Sequence, residues 1–178
     1  MASFDTAFNI LSDDEGGYAN DSDDSGGETY RGISRNNFPL WEGWKVIDSF
    51  KAKPNFPKNL NYIPELGKMV YSFYKKEFWA TIKGDAIKSQ RLANKLLSLG
   101  VLLGVHTGIK CLQRATYAVA GTKLDGRDDG IVGERTLFAV NNFSEQTLLP
   151  AFKSECAGML RCKAKGKYID GWLNRAYE

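Results

Sequence analysis

Glu15-Gly16-Gly17-Tyr18 opens the stretch that decides how this chain is read. Asp21-Ser22-Asp23-Asp24-Ser25-Gly26-Gly27 follows, and Thr29-Tyr30-Arg31-Gly32-Ile33-Ser34 closes it. Just upstream, Phe4, Ala7, Phe8 and Leu11 recur at helical spacing. They predict a helix over residues 3–13, capped by Ser3 and stopped by Gly16 and Gly17. One carboxylate therefore stands at a helix end, with glycines on one side and a tyrosine close by. Such a place exposes an acid while keeping it partly dry, as a carboxylic acid needs if it is to stay protonated near neutral pH. Residues 19–33 are rich in acids, glycines and hydroxyls and read as a structured loop carrying a short hairpin.

Beyond the loop, residues 39–62 hold Pro39, Pro54, Pro57, Trp41 and Trp44 and read as a surface excursion with at most a short helix. Pro64 suits the first position of a helix. Leu66, Val70, Phe73, Tyr74 and Phe78 then follow a helical stripe to Trp79. A helix over residues 85–103, carrying Leu92, Leu96, Leu99 and Leu103, is apolar enough to be the central buried one. Further helices are expected over 107–120, 133–142, 145–163 with Ser144 as cap, and 169–176, with a turn at 123–130. The class is mainly α, with a small β element confined to the acidic loop.

The 178 residues, 43% of them hydrophobic, suffice for one domain or two small packed lobes. The net charge of +3 is spread along the chain, apart from Arg161, Lys163, Lys165 and Lys167. This is no nucleic-acid signature. The basic cluster reads as a solvated helix end, or as attraction to an anionic polymer such as bacterial wall. No apolar run reaches the length of about 18 residues that spans a membrane. Residues 1–14 lack the basic start of a secretory signal. The expectation is synthesis in the cytoplasm and action at the wall or periplasm after another export route or membrane permeabilisation. Cys111, Cys156 and Cys162 match no zinc spacing with the single histidine, His106, and are expected as reduced, buried thiols. Cys156 and Cys162 diverge if they share a helix.

The lone histidine removes most nucleophilic chemistry. His106 follows an apolar stretch at an expected helix end and reads as a capping or surface residue. Ser72-Phe73-Tyr74-Lys75 matches a Ser-x-x-Lys string by chance within an aromatic stripe. There is no P-loop and no dinucleotide fingerprint. Asp21-x-Asp23-x-Ser25-Gly26 fits the start of a calcium loop, but Gly32 stands at the twelfth position where a bidentate Glu is required. Asp125-Gly126-Arg127-Asp128-Asp129-Gly130 puts Arg127 at a ligand position. Both read as Asp/Gly turns, and no metal or cofactor is expected. Carboxylate chemistry remains. Glycoside hydrolysis needs one acid to protonate the leaving oxygen and often a second carboxylate. Glu15 supplies the first, Asp24 is a candidate for the second, and Thr29 is placed to hold a water. Tyr18 desolvates Glu15 and borders the substrate. Tyr30, Trp41 and Trp44 read either as sugar-stacking rings or as core aromatics. Gly26 and Gly27 either admit the glycan close to the backbone or make the turn.

The collinear set Glu15-Gly16-Gly17-Tyr18, Asn20-Asp21, Asp24, Gly26-Gly27-Glu28-Thr29 and Gly32-Ile33-Ser34 resembles the signature of glycoside hydrolase family 108. That family includes phage-type endolysins and proteins described as secretion activators. The resemblance implies a lysozyme-like fold and cleavage of the β-1,4 glycan of peptidoglycan by a muramidase, with glycan strands as partner and Glu15 as catalytic acid; a monomer is expected. Asp24 and Thr29 echo the acid and threonine of the wider phage lysozymes, with the threonine one residue closer. Leu112-Gln113-Arg114-Ala115, Asp129-Gly130-Ile131-Val132-Gly133 and Thr136-Leu137 resemble a peptidoglycan-binding helical module, and Gly171-Trp172-Leu173-Asn174-Arg175 resembles the family's ending. Residues 1–104 are thus expected as the catalytic part and 105–178 as a wall-binding part, packed as one compact domain. The chain departs from the family at Ser22 and Ser25, where prolines are usual, and over Leu92–Gly100. Two other activities fit the same scaffold: a non-enzymatic wall-binding or secretion-regulating protein, and a lytic transglycosylase.

Overall fold

A computed structural model of the chain describes residues 1–14, 17–20, 27–122, 128–163 and 169–178. These residues form eight α-helices and one three-stranded antiparallel sheet. In chain order they are α1 (Phe4–Asp14), β1 (Tyr18–Asn20), β2 (Glu28–Tyr30), β3 (Ile33–Ser34), α2 (Gly43–Phe50) and α3 (Pro64–Tyr74). They continue with α4 (Gln90–Leu103), α5 (Val105–Ala120), α6 (Glu134–Asn142), α7 (Glu145–Lys163) and α8 (Ile169–Tyr177). The mainly α class and the hairpin after the acid segment are as the sequence predicts. The chain forms two compact units, Phe8–Lys75 and Met1–Ala7 together with Lys76–Glu178.

The first unit holds the sheet, α2 and α3. Strand β2 lies in the middle, paired Tyr18↔Tyr30, Ala19↔Thr29 and Asn20↔Glu28 on one side and Thr29↔Ser34 and Tyr30↔Ile33 on the other. Arg31 and Gly32 make the β2–β3 turn with φ of 45° and 76°. Positive φ at both residues gives the backbone twist that a two-residue hairpin needs. Residues 39–62 are mostly exposed and hold one short α-helix, as expected, but a few side chains anchor them. Trp44 and Ile47, three apart on α2, turn inward, and Leu60 is buried from a single 3-10 turn at Lys58–Tyr62. The prolines that suggested wandering chain lie outside the helix, where they punctuate it. Pro64 starts α3, as its missing N–H allows.

The second unit is a helical layer in which α5 packs against α4 and α7, and α7 packs against α8. Helix α4 begins at Gln90 rather than at 85. Residues Gly84–Ala86 form a separate 3-10 turn, Ile87 runs extended, and Ser89 caps the helix by accepting a hydrogen bond from Leu92 N at 3.0 Å. Ser89 also donates to Glu145, which pairs with Arg91 at 3.0 Å and so ties the start of α4 to the start of α7. Helices α4 and α5 meet at two glycines: a Cβ on Gly108 would lie 3.2 Å from Gly100 Cα. From α8, Arg175 Nε donates to Ser98 Oγ at 3.0 Å and Arg175 O accepts from Lys95 Nζ at 2.9 Å, fixing the last helix on α4. No helix among the described residues is long and apolar enough to cross a membrane.

Candidate functional site

Glu15, Asp24 and Gly26 lie outside the described residues, as do most of the two Asp/Gly runs tested above as calcium loops. The structure describes what flanks them. Helix α1 runs to Asp14, and β1 begins at Tyr18, three residues past Glu15 in sequence. Strand β2 begins at Glu28, four residues past Asp24.

Side chains alternate across a strand. The register therefore puts Tyr18, Asn20, Glu28, Tyr30 and Ile33 on one face of the sheet and Ala19, Thr29 and Ser34 on the other. The structure thus does not bring Tyr18 and Thr29 to a common face. The Thr29 hydroxyl donates to Gly27 O at 3.2 Å. Gly27 itself has φ of 63°, and a Cβ there would come within 2.8 Å of the Asn36 amide.

On the other face a charged set that sequence reasoning missed clamps β2 to α2. Glu28 pairs with Arg35 at 3.0 Å and Lys51 at 2.8 Å, and Asp48 of α2 pairs with the same two cations, each at 2.8 Å. Hydrogen bonds from Lys51 and then Arg35 hold the Asp48 carboxyl below the usual range. Tyr18 joins this set. Its ring meets Phe56 edge-on at 4.7 Å, and burial, then its hydrogen bond to Glu28, pushes its phenol above the ordinary value. Two cations on Glu28 make it a structural carboxylate. The signal in the sequence was Glu28 inside the motif, but its partners lie seven and 23 positions away and no local spacing announces them.

Tyr30 and Trp44, read above as sugar-stacking candidates, belong to the core: they are 1% and 3% exposed. Tyr30 shares its sheet face with Ile33 and is covered by Trp41, stacked at 6.4 Å. The Trp44 indole donates to Phe38 O at 2.8 Å and carries the Arg35 guanidinium 4.5 Å above its ring. Trp41 is only half-buried, wedged edge-on against Trp44 at 5.2 Å and Phe73 at 6.1 Å. It lies directly on Gly43, where an added Cβ would collide with the indole.

A shallow apolar depression with room for about one water-sized group is lined by Phe8, Leu11 and Ser12 of α1, Arg31 of the hairpin turn, and Val70 and Tyr74 of α3. Arg31 is its cation, and sequence reasoning passed over it. Its backbone N donates to Gly17 O at 3.0 Å and its carbonyl accepts from the Tyr74 hydroxyl at 2.8 Å. Its guanidinium lies 5.7 Å over the Tyr30 ring. Burial raises the Tyr30 phenol, and Arg31 pulls the other way. Among the described residues no carboxylate pairs with Arg31.

The second motif, in the helical unit, is turned inward. Gln113 Oε1 accepts from Gly130 N at 3.0 Å, and its Nε2 donates to Asp129 Oδ1 at 2.9 Å, Ile131 O at 3.0 Å and Thr136 Oγ1 at 3.3 Å. Leu112, Gln113, Val132 and Thr136 are all buried. Gly130 has φ of 79°, and a Cβ would press 2.9 Å from His106 O. His106 is exposed at the start of α5, with Nδ1 3.0 Å from Gly130 O, as expected of a residue at a helix end. Among the described residues no three His, Cys, Asp or Glu side chains gather as a metal site.

Eight helices and one small antiparallel sheet among the described residues make a mainly α, lysozyme-like fold. The family model for glycosyl hydrolase 108 matches residues 8–104, more than half of the chain, and the chain belongs to that family. The structure of Brucella abortus SagA resembles this one with a TM-score of 0.71, covering 98% of this chain and 89% of that chain at 23% identity, a likeness of fold. No curated protein matches the chain.

Proposed function

We propose that the protein is a peptidoglycan hydrolase of lysozyme type, an N-acetylmuramidase with Glu15 as general acid. The observation that carries this reading is the intact Glu15-Gly16-Gly17-Tyr18 signature inside the family match. In this reading Glu15 gives its proton to the glycosidic oxygen as the bond breaks. Asp24 stabilises the positive charge on the sugar or activates the water. Thr29, whose proton is already given to Gly27 O, meets that water as an acceptor and orients it. Tyr18 and Trp41, the two expected aromatic residues that keep exposed surface, border the glycan. We assign the Arg31 side chain, at the edge of the shallow depression, to anionic substituents of the polymer, such as stem-peptide carboxylates.

The buried Gln113 amide, with Leu112, Val132 and Thr136, offers a glycan nothing to touch. Wall contact by residues 105–178 would fall to exposed side chains such as Ile131 and Phe138.

Digestion of purified peptidoglycan, followed by mass spectrometry of the released fragments, tests the reading. Reducing muramyl ends are expected. Anhydro-muramyl ends would identify a lytic transglycosylase, and no fragments would identify a wall-binding or secretion-regulating protein. Glu15→Gln is expected to lower the rate by about 10²–10⁴, the contribution of a general acid. Asp24→Asn is expected to cost less, and a Glu15→Gln rate near wild type overturns the assignment.

A further inference from the structure

Cys111 on α5 and Cys156 on α7 are both fully buried, and their side chains are hydrogen-bonded to each other across the packed α5–α7 pair. Ala115 of α5 and Ala157 of α7 are also wholly inaccessible. Cys162 is exposed and stands apart. We propose that Cys111 and Cys156 form a latent disulfide that staples α5 to α7 when the chain folds in an oxidising compartment. A disulfide needs its two sulfurs brought within bonding reach, and two buried thiols hydrogen-bonded across a packed helix pair start from that proximity.

The chemistry balances with a small-molecule disulfide such as oxidised glutathione. One cysteine thiolate attacks it, releasing one glutathione thiol. The second cysteine then attacks the mixed disulfide and releases another, so two protein thiols are oxidised and one disulfide is reduced. The contact with Cys111, then burial, pushes the Cys156 thiol well above its ordinary value. Thiolate is therefore scarce in the folded interior. The bond accordingly forms while α5 and α7 are still docking, and the folded, reduced protein resists oxidation.

Refolding from denaturant in a glutathione redox buffer, against refolding in dithiothreitol, tests this. Each product is alkylated after unfolding and mapped by mass spectrometry. The expected oxidised product carries one alkylated cysteine, Cys162, and a linked Cys111–Cys156 peptide pair, and melts about 4–16 °C above the reduced product. Three alkylated cysteines, a linkage through Cys162, or no gain in melting temperature overturns the proposal. If the unfolded chain aggregates, the same count is made on protein synthesised in oxidising and in reducing cell extracts.

Discussion

Arg31 occupies a backbone conformation, φ of 45°, that a β-turn of this type gives more readily to Asn or Gly. That conformation, held by Gly17 O and the Tyr74 hydroxyl, is a local cost, and among the described residues the side chain contacts the Tyr30 ring. Retained strain of this kind clusters at functional positions. Arg31→Asn relaxes the turn and deletes the cation. The melting temperature is expected to stay within about 4 °C of wild type, equivalent to about 1 kcal/mol for a chain of this size. The rate of peptidoglycan cleavage is expected to fall at least tenfold. Unchanged cleavage alongside an unchanged melt would remove Arg31 from the site. The same contrast of site and scaffold applies to Glu28. Its position inside the acid-rich motif suggests chemistry, yet its two cations assign it to holding β2 on α2.

At the scale of elements, the buried amide of Gln113 does most to shape its surroundings. It closes the segment from Asp129 to Thr136 back onto α5 by four hydrogen bonds. Gln113→Ala leaves buried polar groups unpaired, and a loss of about 2–4 kcal/mol is expected. Thermal melting should show this as a fall of several degrees, with the fragment pattern from peptidoglycan unchanged. A shifted cleavage pattern with an unaltered melt would point to glycan contact instead.

Most elements could be read from the chain because their signals are local. Pro64 opens α3, Ser144 precedes α7, and the leucine stripe of α4 follows helical spacing. The start of α4 was misjudged because Asp85 can begin a helix as well as Ser89 can. What decides between them is Ser89 reaching Glu145, a partner 56 residues away. Tyr30 and Trp44 were ambiguous for a related reason. An aromatic residue beside an acidic loop looks the same in sequence whether it faces sugar or core, and only Trp41, Phe38 and Ile33 packed around them settle it.

For the whole molecule, ionisable groups set the limits of stability. Asp48, Asp128 and Asp129 are each held below the usual carboxylate range, by hydrogen bonds from Lys51 and Arg35, from Arg114, and from Gln113 respectively. A carboxyl lowered on folding stabilises the folded state above its unfolded value of about 3.9 and loses that contribution as pH falls through the lower folded value. Tyr18 and Tyr30 are raised, chiefly by burial. Their contribution is complete below the unfolded value of about 10 and is lost as pH rises through the folded one. Melting temperature against pH should therefore be flat between about 5 and 9 and fall on both sides. Asp48→Asn should make the acid side shallower, and an acid limb unchanged in that variant would count against the Glu28–Arg35–Asp48–Lys51 set. The contact between Trp41 and Gly43 has a consequence for genetics. Position 43 carries no functional group, yet even a methyl there must displace an indole braced by Tyr30, Trp44 and Phe73. On the function proposed above, a screen for lost cleavage of peptidoglycan would score Gly43 beside Glu15. A reader of such a map, seeing only which codons matter, would take a spacer for a reagent.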